Sequence, residues 1–272
     1  MGDVVGKKQM AMLDINVGDV MTVYEGPVGQ LWEMLMGEEI HVGGEEETRI
    51  LAEMAGVGEQ SRVLDVLAGQ GGPARHLARR YGATVMGLDI TPRMVAKAVE
   101  RTRIAGLGDR VTFRLGNALD MPFRAGTFDI VWGQDSWCYV TDKERLLKEC
   151  RRVAKPGGTI AFTDWIQTGT MSAEEWQTLN TFMVFPYMET LEGYTELLQR
   201  NGFTVTERED LSEDFSKQMR RYHASLTGEL EGEIVDLFGK EVYRDAERGL
   251  ALWRKAADEG KVGRGRFIGR KT

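Results

Sequence analysis

One segment constrains the fold of this chain more than any other: Val63-Leu64-Asp65-Val66-Leu67-Ala68-Gly69-Gln70-Gly71-Gly72-Pro73. A short apolar run enters a cluster of glycines, and an amphipathic stretch, 73–81, leaves it. Glycine tolerates positive φ and lets a ligand approach the backbone. Pro73 suits a first helical turn, where a missing N–H costs nothing. The pattern is strand, turn, helix. In open α/β sheets, ligands bind beyond the carboxyl ends of such strands.

The same rhythm repeats downstream. Arg62–Val66, Thr84–Asp89, Val111–Leu115, 128–132 and 159–165 read as strands, with helices at 73–81, 91–105 and 142–154 between them. The run FDIVW at 128–132 is apolar in all but one residue, as a strand covered on both faces must be. Alternation of this kind predicts a Rossmann-like, doubly wound and mostly parallel α/β sheet with helices on both faces. Past Trp165 come a helix at 172–181, an aromatic segment at 182–188, a helix at 190–201 and a sixth strand at 203–209. A long helical stretch, 213–258, precedes a seventh strand at 264–271. Residues 1–60 read as a helical extension, clearest at 45–55, with a lid helix at 31–36. The expectation is one domain over 61–272, carrying insertions at about 166–200 and 211–260.

Composition narrows the class. Two cysteines, Cys138 and Cys150, exclude a disulfide-rich secreted scaffold and suit a reducing, cytoplasmic setting. A net charge of −7 argues against nucleic acid as partner. No run of 18 apolar residues indicates a membrane span. The three histidines are scattered and the cysteines are not spaced C-x-x-C, so no metal is expected. The charge-rich ends, Lys7-Lys8 and 264–271, read as solvated faces. A small-molecule substrate, with the protein a monomer or homodimer, is the expectation that remains.

The ligand class follows from what accompanies the glycines. Asp89 ends the second strand, where a carboxylate can accept both ribose hydroxyls of a nucleoside. No GK[ST] follows the glycines, which excludes a phosphate loop, whereas a dinucleotide fingerprint is not excluded. Asn117-Ala118 ends the third strand, where an amide and the backbone can read an adenine edge.

Taken in order, VLDVLAGQGG, GLDI, GNALDMPF, FDIVWGQD and VAKPGG resemble the motifs of class I S-adenosylmethionine-dependent methyltransferases, over roughly residues 60–165. The resemblance implies S-adenosylmethionine as cofactor. It places His41, Val42, Gly43, Asp65, Ala68, Gly69, Gly71, Asp89, Ile90, Met94, Asn117, Ala118 and Gln134 against it. Leu67 departs from the family, which usually has glycine there, and should narrow the floor of the loop.

A finer resemblance lies outside the core. GEEIHVGG at 37–44, Gln134-Asp135, EDLS at 209–212 and the tail from Gly249 through Lys261 are similar to sarcosine/dimethylglycine and phosphoethanolamine N-methyltransferases. That similarity implies methylation of an amine nitrogen. In the phosphoethanolamine enzymes a tyrosine matching Tyr24 covers the site and pairs with a histidine. Here Tyr139 stands in the histidine's place, and the segment before Thr190 lacks the phosphate-binding arginine. Phosphoethanolamine is therefore not the expected acceptor. A carboxylate acceptor such as dimethylglycine also wants a cation, and no Arg or Lys is assigned to it.

Methyl transfer needs an acceptor lone pair aligned in a dry pocket. Tyr24, Asp135, Tyr139 and His223 are the candidates to orient the amine or take its proton. Aromatic faces attract methylated ammonium groups, and Trp137, Trp165, Phe185 and Tyr187 are the candidate walls. The sequence leaves open an O- or C-methyltransferase of a natural-product, sugar or lipid-quinone acceptor. It also leaves open a cofactor-binding regulatory protein without turnover.

Overall fold

A computed structural model describes residues 11–272, so Lys7 and Lys8 lie outside the described residues. The motif strands are β1 (Arg62–Val66), β2 (Thr84–Asp89), β3 (Val111–Leu115), β4 (Phe128–Gln134) and β5 (Ala154–Gln167). β6 (Phe203–Asp210) and β7 (Val262–Lys271) complete a seven-stranded sheet of order β3-β2-β1-β4-β5-β7-β6. The first four pairings are parallel, and β7 runs antiparallel to both β5 and β6. The sheet is thus mixed, with its parallel half built from the strand–helix alternation.

Helices α4 (Gly72–Tyr81), α5 (Pro92–Ile104) and α6 (Lys143–Val153) follow their strands. Each starts where local chemistry supplies a cap: Gly71 at φ 73° for α4, Thr91 followed by proline for α5, and the Asp142 carboxylate accepting from Arg145 N for α6. Ahead of the sheet lie α1 (Val17–Glu25), α2 (Pro27–Met36) and α3 (Gly44–Ala55). A capping box between Asn16 and Asp19 opens α1. Between β5 and β6 come α7 (Ala173–Met183) and α8 (Leu191–Arg200). The expected long helix at 213–258 is three helices, α9 (Ser212–Leu226), α10 (Glu231–Phe238) and α11 (Lys240–Asp258). Gly239, at φ 89°, makes the second break.

Two apolar clusters sandwich the sheet. A third, holding Trp165, Trp176, Phe185, Phe215 and Trp253, packs α7, α9 and α11 under α2. This third cluster fixes the α1–α2 pair over the carboxyl ends of the strands. Its outer edge is held by charge: Lys97 Nζ donates to Glu33 at 2.6 Å, Arg101 also pairs with Glu33, and Arg93 donates to the Tyr24 carbonyl at 2.7 Å.

β7 overturns the expectation of a solvated basic end. It is an interior strand, and Arg264 and Arg266 are buried. Alternation along the strand aims both guanidiniums to one face. There Arg264 Nη1 donates to Glu47 at 3.1 Å and Arg266 Nε to Glu47 at 2.8 Å, and Arg266 also pairs with Glu209. Buried charges persist only when paired in this way.

Candidate active site

A cavity opens at the carboxyl ends of β1, β2 and β4, beneath α1. Leu67, Ala68 and Gly69 form its floor, Asp65, Asp89 and Gln134 its polar wall, and Tyr24, Ile40, Met94 and Tyr139 much of its roof. Leu67 holds φ 61°, a left-handed conformation at odds with its branched side chain. Such a residue costs roughly 1–2 kcal/mol, and the side chain faces the cavity.

Two buried carboxylates shape the polar wall. Asp89 accepts from Gly69 N and Thr91 N, both at 2.9 Å. It thereby fixes the glycine loop to the end of β2. Burial raises its pKa, opposed by those two N–H groups. Asp65 is different: its Oδ2 is buried and has no partner. Burial, then the charges of Asp89 and Glu39, push its pKa up to about 8. The Nε2 of Gln134 is also buried without a partner.

A smaller chamber opens off the first. Tyr24, Trp32, Met36, Ile40, His41, Asp135, Tyr139, Trp165 and Met183 enclose it. Tyr24 and Tyr139 join their hydroxyls at 2.6 Å, with rings edge-on at 5.5 Å between centroids. Burial raises both phenol pKa values, so both hydroxyls stay protonated near neutral pH. They can orient an acceptor by hydrogen bonding, but neither is a ready base.

Asp135 sits where the two spaces meet, at φ 52°. Its Oδ1 accepts from Thr163 Oγ1 and Arg264 Nε, both at 2.8 Å, and its Oδ2 accepts from Val42 N at 2.8 Å. The carboxylate is a clamp joining β4, β5, β7 and the segment before α3. Arg264 was missed as a site residue. Its signal was the alternation of Gly263, Arg264, Gly265 and Arg266, which a basic-run reading overlooks.

Several sequence candidates lie elsewhere. Trp137 is fully buried and stacks on Phe162 at 4.2 Å between centroids. It fills the space left by Gly133, where a Cβ would stand 2.4 Å from the indole nitrogen. His223 lies on α9 with its Nε2 3.5 Å from Glu247 on α11, and it lines neither space. Phe185 is fully buried behind Tyr139 and Trp165, a support rather than a wall. The Tyr187 ring lies under Lys143 Nζ at 3.6 Å, outside both spaces. Trp165 alone of the four proposed aromatics reaches the chamber.

The cofactor candidates divide likewise. Asp65, Ala68, Gly69, Asp89, Ile90, Met94 and Gln134 line the large cavity, and His41 lines the chamber. Both ring nitrogens of His41 are engaged, at Val42 O and Thr48 Oγ1. Val42 is buried, and Gly43 and Gly71 cap helices. Asn117 turns its side chain to Leu119 N, and Ala118 packs beside the core, so neither lines the cavity. Sequence reasoning did not single out Glu39, Thr91, Ser136, Trp32, Met36 or Met183 as lining residues.

Comparison with known proteins agrees with this architecture. The methyltransferase domain family matches residues 64–162. A sarcosine/dimethylglycine N-methyltransferase of Halorhodospira halochloris is 30% identical over 251 residues, covering 86% of this chain and 88% of the relative. Methyltransferase GfsG of Streptomyces halstedii is 35% identical over 176 residues, and the match spans 62% of each chain. A crystal structure from Galdieria sulphuraria, named for a sarcosine dimethylglycine methyltransferase, superposes with a TM-score of 0.83 at 25% identity. That match covers 92% of this chain and 98% of the other. The chain belongs to the S-adenosylmethionine-dependent methyltransferases. S-adenosylmethionine is the cofactor of that family.

The chemistry of the lining suits the group. The partnerless Oδ2 of Asp65 is a buried acceptor suited to the amino-acid ammonium. Asp89, at the end of β2, is placed for ribose hydroxyls. A test follows from the Asp65 pKa. Below about pH 8 the unliganded carboxyl is protonated, and pairing with an ammonium requires the charged form. Affinity for S-adenosylhomocysteine should therefore rise between pH 6 and pH 8, by up to about tenfold per unit, and flatten above. Calorimetry across that range reads it, and Asp65→Asn should remove the slope.

Proposed function

We propose that this protein transfers a methyl group from S-adenosylmethionine to the nitrogen of a small-molecule amine. The observation that carries this reading is the chamber beside the cofactor cavity, walled by the rings of Tyr24, Trp32, Tyr139 and Trp165. Aromatic faces stabilise a methylated ammonium by about 0.5–2 kcal/mol each. The name of the Halorhodospira relative points the same way.

When bound, S-adenosylmethionine supplies a methyl carbon on a sulfonium sulfur, open to in-line attack by an acceptor lone pair. The protein's own share is positional. The Tyr24 and Tyr139 hydroxyls offer one hydrogen bond to the acceptor while keeping one between themselves. Asp135 accepts from Arg264 and holds the Val42 backbone in place. Trp32, Met36 and Met183 exclude water, so alignment and dryness carry the acceleration. An ammonium acceptor gives its proton to solvent before it enters the site, since neither tyrosine is a ready base, and it is the free amine whose lone pair attacks.

A labelled-methyl assay over amines, phenols and sugars tests the reading. Transfer to amines supports it; labelling only of a hydroxyl or carbon acceptor overturns it in favour of O- or C-methylation. Tyr24→Phe should lower kcat about three- to tenfold, the worth of one net hydrogen bond, and leave S-adenosylhomocysteine affinity unchanged. Tyr139→Phe should do the same. The double variant should lose little more, because the two hydroxyls act as one unit. Additive losses would show that the pair is not the orienting device.

A further inference from the structure

Charge around the acceptor chamber is one-sided. Among the described residues no Lys or Arg lines the chamber, whereas the Asp135 carboxylate does. Arg264 is the guanidinium that comes nearest in bonding terms, through Asp135. All three of its nitrogens are committed: Nε to Asp135, Nη1 to Glu47 and Nη2 to Thr163 Oγ1 at 3.0 Å. It is fully buried. His41 has both ring nitrogens engaged. Lys143 is turned away, donating to the Val140 and Tyr187 carbonyls at 3.0 and 3.2 Å.

We propose that the acceptor site selects an amine bearing no anionic group, so that a carboxylate-bearing amine such as dimethylglycine is a poor substrate. This inference rests on the amine reading above and specifies the class of amine. A buried carboxylate without a cation is strongly disfavoured. Here it would lie among Trp32, Met36, Ile40, Trp165 and Met183, facing Asp135. To recruit Arg264 it would have to displace Asp135, which would release Val42 N and Thr163 as well. A neutral hydroxyl in the carboxylate's place meets no such cost, and the Tyr24–Tyr139 pair can hydrogen-bond it. Rejection by unpaired charge is a common route to specificity. It would separate this chain from the acceptors in the names of its sarcosine/dimethylglycine relatives.

The experiment compares dimethylglycine, its methyl ester and dimethylethanolamine at matched free-amine concentrations. Two readouts are taken: kcat/KM for methyl transfer, and calorimetric binding of each acceptor to the S-adenosylhomocysteine-loaded protein. The expected result is at least a hundredfold preference for dimethylethanolamine over dimethylglycine, with the ester close to the alcohol. Met36→Arg, which places a cation in the chamber wall, should raise binding of dimethylglycine at least tenfold while the cofactor product still binds. Equal or better handling of dimethylglycine by the unaltered protein overturns the inference, as does a folded Met36→Arg with no gain. If the acceptors bind with the expected preference but none is methylated, the amine-transfer reading fails and the selection stands. If none binds while the cofactor product does, both fail.

Discussion

Asp89→Ala will weaken binding of S-adenosylhomocysteine by at least about a hundredfold in calorimetry. Two losses combine. The side chain accepts Gly69 N and Thr91 N, and charge-assisted bonds of this kind are worth about 1.5–3 kcal/mol each. Without it the glycine loop keeps only the Ala68 N to Leu88 O bond to β2, and two N–H groups, that of Thr91 buried, lose their partner. On the proposed binding mode the ribose of the cofactor loses its acceptor at the same time. Asp89→Asn keeps one carbonyl oxygen and should fall between the two. An alanine variant with native affinity would remove Asp89 from the site.

The second large effect concerns stability. Arg264→Ala should lower the unfolding free energy by about 3–5 kcal/mol, the usual cost of breaking a buried ion pair from one side. That corresponds to roughly 10 °C in Tm for a chain of this size. The cause is the stranded charge: Asp135, which is buried, loses its cation, and Glu47 keeps only Arg266. The double variant Arg264→Met with Asp135→Asn should recover part of the loss, because it removes both charges together. Denaturant unfolding of the single and double variants measures the coupling. Independent, additive losses would mean that the two groups do not act as a pair.

These two residues also show what a sequence discloses and what it hides. The place of Asp89 in the cavity wall was legible because it is set locally. A strand, a glycine turn and the acid ending the next strand lie within a few tens of residues, and their spacing carries the meaning. The parallel half of the sheet was legible for the same reason, through apolar runs alternating with amphipathic stretches. Arg264 was hidden because its partners are remote: Glu47 is separated from it by 217 positions and Asp135 by 129. Nothing local distinguishes a clamped arginine from a solvated one. The aromatic candidates failed in a related way. Trp137 and Phe185 have the composition of a binding wall, but whether a ring faces a cavity or a core is decided by the opposing layer. Gly133 decides it for Trp137, and Trp253 and Trp165 decide it for Phe185. Trp32, Met36 and Met183 went unnoticed because helix packing, not spacing, brings them to the chamber.

The interior position of β7 has a consequence for the order of events during synthesis. When the ribosome has released the chain through Gln167, every motif strand exists and the glycine loop can close on Asp89. Asp135, which seats Val42 N, has no counter-charge at that stage. Arg264 emerges roughly 5–20 s later at ordinary translation rates. Until then the cofactor cleft is a half-built pocket with an exposed sheet edge along β5. β7 is made after every motif strand, so the ion pairs of Arg264 with Asp135 and Glu47 form only once these distant parts of the chain have both arrived.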